Sequence, residues 1–174
     1  VNVMGEVEVP GTYRLSAFAS VFHALYRAGG VNRIGSLRTI QVVRNGEKVA
    51  DVDVYKYIME GKLADDIRLS EGDVILVSPY ENLVSISGKV KRPMIYEMKQ
   101  GESLAALINY AGGFTGDAYR NTVRLLRRSG REKQIYNVDK VDYENFILTD
   151  DDEVSVEAVL DRFSNKVEVR GAVY

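Results

Sequence analysis

The first residues of the chain, VNVMGEVEVPGTYRL, set Val1, Val3, Val7 and Val9 in alternation with Asn2, Met4, Glu6 and Glu8. A period of two belongs to a strand with one face buried, and Pro10-Gly11 punctuates a turn before Tyr13-Arg14-Leu15 returns, so the pattern predicts a hairpin. The period then lengthens. After Ser20, the apolar residues Val21, Ala24, Leu25 and Ala28 recur at threes and fours, one face of a helix of about two and a half turns. Ser20 is its expected N-cap, the hydroxyl accepting from a first-turn N–H, and Gly29-Gly30 its left-handed stop. So short a helix does not persist alone in water and must lie on a sheet. Thr39 to Val43 and Val49 to Val54 read as strands joined by Asn45-Gly46, and Tyr55 to Lys62 as an irregular connection or short helical turn. Leu69 to Val77, LSEGDVILV, is an acidic turn entering a closing strand.

The same succession recurs 83 positions later. Gly5 aligns with Gly88, Pro10 with Pro93, Tyr13 with Tyr96, Ser20 with Ser103, and Gly29 and Gly30 with Gly112 and Gly113; one further step carries Gly88 to Gly171. Self-similarity at a domain-sized period predicts repeated domains. Residues 1–80 form the first, 84–160 the second, and 167–174 the truncated start of a third, with Ser78 to Leu83 too short a link for free tumbling. The predicted class is α+β, each unit a small mixed sheet on one short helix. A glycine inside a strand at Gly5, Gly88 and Gly171 predicts a bulge or a backbone approach too close for a side chain. Equivalent positions for Tyr13 and Tyr96 assign them to packing.

Composition narrows what such units do. The 174 residues carry a formal charge of −2, 23 basic against 25 acidic, so no global field draws the chain to nucleic acid or an anionic membrane. There are no cysteines, which removes disulfides and thiolate chemistry and leaves the redox compartment open. No apolar run approaches the ~20 residues of a membrane-spanning helix. Val1 without a preceding signal segment suggests an excerpt of a longer precursor.

The pattern V-x-V-x-G-x-V-x-x-P-x-x-Y, then the serine-capped helix ending in A-G-G, then L-x-x-G/D-D-x-I/V-x-V resembles the soluble-ligand-binding β-grasp (SLBB) domain in tandem, as in bacterial polysaccharide biosynthesis and export proteins. The resemblance implies a ubiquitin-like β-grasp fold and a non-catalytic periplasmic module of an oligomeric outer-membrane exporter of capsule or exopolysaccharide. The partners it implies are other copies of the same protein, polysaccharide and an inner-membrane export partner. Two departures, Met94 where the first copy has Gly11 and Asp151 where it has Gly72, predict turns of different shape.

Candidate chemistry is sparse. His23, the one histidine, reads as helix surface. Asp150, Asp151, Asp152 and Glu153 are contiguous, unlike the alternating ligands of a calcium loop, and read as a solvated turn; Asp65-Asp66 falls in a loop. Arg124, Arg127, Arg128 and Arg131, with Lys133, lie along a predicted hairpin and are candidate contacts for an anion or saccharide, or a charged face protecting a sheet edge. The Gly-Gly pairs follow a helix, whereas a phosphate cradle precedes one. Tyr26, Tyr80, Tyr110 and Tyr119 have no tyrosine counterparts and are free to serve an interface. The sequence offers no nucleophile with its base, no metal cluster and no cofactor loop, so a structural or interaction module leads, a small-ligand or carbohydrate module follows, and an enzyme comes last. A β-grasp domain of a respiratory or DNA-uptake protein remains open on fold grounds.

Overall fold

A computed structural model describes residues 1–61, 67–166 and 171. The first half contains β1 (Asn2–Gly5), β2 (Gly11–Thr12), α1 (Val21–Arg27), β3 (Gly35–Arg44), β4 (Glu47–Val52), α2 (Val54–Glu60) and β5 (Val74–Pro79). The second contains β6 (Asn82–Gly88), β7 (Met94–Met98), α3 (Leu104–Tyr110), β8 (Thr122–Ser129), β9 (Glu132–Asp139), a 3-10 turn (Lys140–Asp142) and β10 (Glu153–Val156). Each half forms a five-stranded mixed sheet, in the orders β2-β1-β5-β3-β4 and β7-β6-β10-β8-β9. The orders correspond strand for strand, and in each the first strand pairs in parallel with the last. The class is α+β.

The alternating pattern explains the strands. Ser36, Arg38, Ile40 and Val42 of β3 all point inward, and the matching face of β8 buries Val123 and Leu125. The first core gathers Val3, Val21, Ala24, Leu25, Ile40, Val42, Ile75 and Val77, and the second Val84, Ile86, Leu104, Leu107, Val123, Leu125, Val154 and Val156. Tyr55, from α2, packs into the second core, and Leu37 packs against both. Only Tyr80 and Glu81 separate β5 from β6, and the Tyr80 N–H donates to the Ile34 carbonyl at 2.9 Å, which ties down even that link.

The glycines at the ends of β1 and β6 owe their identity to close approach. Gly5 and Gly88 have φ of +84° and +83°, and a Cβ on either would collide with the carbonyl of Val77 or Val156 on the parallel neighbour. The Gly-Gly pairs close α1 and α3 with φ between +80° and +90°; the Gly30 and Gly113 N–H groups return to Leu25 and Ile108 at 2.9 Å.

Three local expectations change. The connection after β4 is a formed helix, α2, because Asp53 caps it by accepting from the Tyr55 N–H at 3.0 Å and Gly61 ends it at φ 66°. Ser103 makes no hydroxyl cap. The first-turn N–H groups of α3 donate instead to backbone carbonyls, Leu104 to Phe146 and Ala105 to Tyr143, both at 2.9 Å. At α1 Ser20 stands at the N-cap as expected, and His23 reaches back to it, its Nδ1 accepting from the Ser20 N–H at 3.3 Å and lying 2.9 Å from the Ser20 hydroxyl. Asp151 takes φ 64° where Gly72 takes 84°, so the two acidic turns share a left-handed conformation, which aspartate tolerates better than most residues. The third repeat, 167–174, and Asp65-Asp66 lie outside the described residues, Gly171 excepted.

Candidate functional site at the junction of the repeats

The chemistry that distinguishes this chain is concentrated where the first unit meets the second, around Arg38. Its side chain is 4% exposed, and burying a guanidinium costs free energy unless every donor finds an acceptor. All five do. Nε donates to Asp53 Oδ1 at 2.9 Å, one terminal nitrogen to the Glu97 carbonyl and Glu102 Oε2, both at 3.0 Å, and the other to Glu102 Oε1 at 2.9 Å and the Tyr110 hydroxyl at 3.2 Å. Four of the five bonds therefore cross to the second unit. The guanidinium also lies 4.5 Å from the ring centre of Tyr55 and 5.2 Å from that of Tyr110, whose rings meet edge to face.

Satellite contacts complete the lock. Glu97, 7% exposed, accepts from the Ser36 hydroxyl at 2.5 Å and the Leu37 N–H at 2.7 Å, while its own N–H donates to the Tyr55 hydroxyl at 2.9 Å. Lys99 sets its ammonium 2.7 Å from Asp53 Oδ2, an ion pair across the junction. Glu102 further accepts from the Tyr110 hydroxyl at 2.7 Å and the Lys99 N–H at 2.8 Å.

The electrostatics follow from burial opposed by pairing. Burial alone would push Asp53 and Glu102 up, but Lys99 and Arg38 on the first, and Arg38 and Tyr110 on the second, hold both below the ordinary carboxylate range. Tyr110 is pushed up to about 12 by burial and by donating to the Glu102 carboxylate. Arg38 stays charged at every accessible pH. The arrangement fixes one unit against the other.

A second polar motif repeats within each unit. Arg44 grips Asp73 through two bonds at 2.8 Å, and Arg127 grips Asp152 through bonds of 2.9 and 2.7 Å. Both aspartates are fully buried and also accept from the N–H three residues earlier, Ser70 or Thr149, at 2.7 and 2.9 Å. Asp152 therefore departs from the solvated turn expected of the acidic run. Asp73 is correspondingly depressed by Arg44.

This places the basic hairpin. Arg127 is committed to Asp152 and to the Ile147 carbonyl, Arg128 pairs with Asp151 at 2.8 Å and Arg124 with Glu157 at 3.0 Å, the last two pairs exposed. Arg131 is exposed. Tyr13 and Tyr96 donate to the carbonyls of Val9 and Arg92 at 2.5 and 2.8 Å, bracing the turns that carry Pro10 and Pro93. Of the unmatched tyrosines, Tyr110 enters the junction; Tyr26 is 86% exposed.

Among the described residues no group of three or more histidine, cysteine or carboxylate side chains could hold a metal, and no helix is long and apolar enough to cross a membrane. A groove of about 750 Å³ opens beside α1, lined by Arg14, Phe22, His23, Tyr26, Arg27 and Tyr57 among others.

Residues 1–77 and residues 83–137 each match the SLBB domain. Two curated relatives from Escherichia coli, each a polysialic acid transport protein KpsD, are 27% identical over 136 residues, which cover 77% of this chain and 24% of theirs. The chain thus spans about a quarter of the length of the curated relatives it matches.

Proposed function

The chain belongs to the SLBB-domain family, two such domains standing in tandem, and from that premise we propose that it is a non-catalytic structural and interaction module of a bacterial polysaccharide export protein. In this reading the units, 1–80 and 84–160, are β-grasp spacers in the periplasmic part of an oligomeric outer-membrane exporter, and the partners are further copies of the protein. The observation that supports it is the Arg38 lock. A module that spans a compartment must hold its length and angle, and burying five satisfied donors across a two-residue link provides that rigidity without any reactive centre. The likeness to polysialic acid transport proteins supports the export context.

The test is made in cells that depend on the full-length exporter. Deleting residues 1–160 in frame, with protein level and membrane fraction checked, is expected to leave polymer inside the envelope and abolish surface polymer. Unchanged surface polymer would overturn the reading.

A further inference from the structure

The sequence joins its copies at two places, after β5 and after β10, and the two joints are built differently. Val77 and Val156 hold the same position: each carbonyl accepts, at 2.9 Å, the N–H of the residue after a strand glycine, Glu6 or Lys89. The two exits then stay alike for three residues, where the Tyr80 N–H donates to the Ile34 carbonyl and the Val159 N–H to the Asp117 carbonyl, both at 2.9 Å. There they part. The next strand glycine, Gly88, follows Val77 by eleven residues, whereas Gly171 follows Val156 by fifteen. With Asn165 aligned to Asn82, Glu81 alone bridges the first joint and residues 160–164 bridge the second, four residues more.

The second unit also lacks the groups with which the first unit locks its neighbour. The registers Ile40 to Val52 and Val123 to Val138 put Asn121 in the place of Arg38, Tyr119 in that of Ser36, and Val141 in that of Tyr55. A carboxamide offers two donors and no charge where the guanidinium offers five and a full charge. Asp139, in the place of Asp53, accepts from the Thr122 hydroxyl at 2.8 Å and makes no ion pair among the described residues. The seven-residue α2, whose Tyr55 and Met59 pack against the core of the following unit, gives way to the three-residue turn Lys140–Asp142. A short link and a buried guanidinium fix one orientation; a longer link without that anchor leaves relative motion as the default.

We propose that the joint between the second and third copies is a hinge: the first two units turn as one strut, and bending is confined to residues 160–164. The proposal rests on residue 167 opening a third copy and not on the export role.

Spin labels on the full-length protein test it by double electron–electron resonance, with labelled chains diluted in unlabelled ones so that each distance lies within one chain. Residues 1–174 contain no cysteine, and the parent protein labelled in parallel gives the background. Lys48→Cys with Lys133→Cys, both half-exposed strand positions, reports the first joint. Lys133→Cys with Arg170→Cys, the register counterpart of Met4 and Ser87, reports the second. The second distance distribution is expected to be wider than the first by about twofold or more, and Arg38→Ala is expected to widen the first alone. Equal widths, both narrow or both broad, overturn the proposal. Trypsin gives a measure free of labels: the native protein is expected to be cut after Arg162 or Lys166 before it is cut after Lys99 in the first joint, and the reverse order overturns the hinge. Neither measurement reads surface polymer, so the export assay above stands or falls on its own.

Discussion

Replacing Arg38 by alanine removes one side chain and strands two carboxylates. Asp53 is 4% exposed and Glu102 21%, and deleting one partner of a buried ion pair costs about 3–5 kcal/mol because the charge left behind lacks both water and partner. Asp53 keeps Lys99, and Glu102 keeps the Tyr110 hydroxyl and the Lys99 N–H, which puts the expected loss at the lower end, about 3 kcal/mol. The location of the loss matters as much as its size, since four of the five bonds join the units. Native-state hydrogen exchange reads it directly. In the parent chain the slowest amides of β3 and β8, such as those of Val42 and Leu125, are expected to open together. In Arg38→Ala they are expected to separate, with urea unfolding resolving into two transitions. A single transition shifted by less than about 1 kcal/mol would refute the claim that this cluster couples the units.

Gly88→Ala forces a side chain onto the Val156 carbonyl at φ +83°, and left-handed strain of about 1–2 kcal/mol plus overpacking of about 1–3 kcal/mol predicts a loss near 3 kcal/mol by urea denaturation. Gly113→Ala, at φ +82° with no atom nearby, carries the conformational part alone, about 1–2 kcal/mol, so the two substitutions together separate strain from collision. Arg127→Ala and Arg44→Ala each take the ion pair from a fully buried aspartate and leave it its backbone donor, and both are expected to lower the melting temperature of the unit that carries them. Acid is expected to loosen the junction. The folded pKa values of Asp53 and Glu102 lie below their unfolded ones, so their contribution is full above the ordinary carboxylate range near pH 4 and is lost as pH falls through the depressed folded values. Exchange rates at Leu37 and Glu97 measured between about pH 6 and pH 2.5 check it.

The repeated features were legible because the chain supplies its own comparison. Gly5 with Gly88, and the two Gly-Gly stops, announce backbone geometry that only glycine meets, and their recurrence separates necessity from accident. The junction was hidden for the complementary reason: its residues do not repeat. Arg38 aligns with Asn121 and Glu102 with Ala19, and the bonds join positions about sixty residues apart. A signal did exist. In the strand Ser36, Arg38, Ile40, Val42, an arginine occupies the inward face of an alternating pattern, and a charge there must be paired. The Arg44–Asp73 and Arg127–Asp152 clasps were legible in the same way, since both members recur; reading the acidic run as a block concealed that its third aspartate aligns with Asp73. The α2 helix escaped because its second-unit counterpart is only a 3-10 turn, so comparison between the units argued against it.

The unequal ends of the two units carry a consequence for descent. Units that arose by duplication began with interchangeable faces, yet Arg38 now meets one carboxylate of its own half, Asp53, and one of the other, Glu102. A recombination event that doubled the first unit would set Arg38 against Arg14 and Ala19 in the places of Glu97 and Glu102, leaving Asp53 as its one carboxylate. The order of the modules is thus written into a handful of side chains, and genes that shuffle such segments must carry matched ends together or lose the joint.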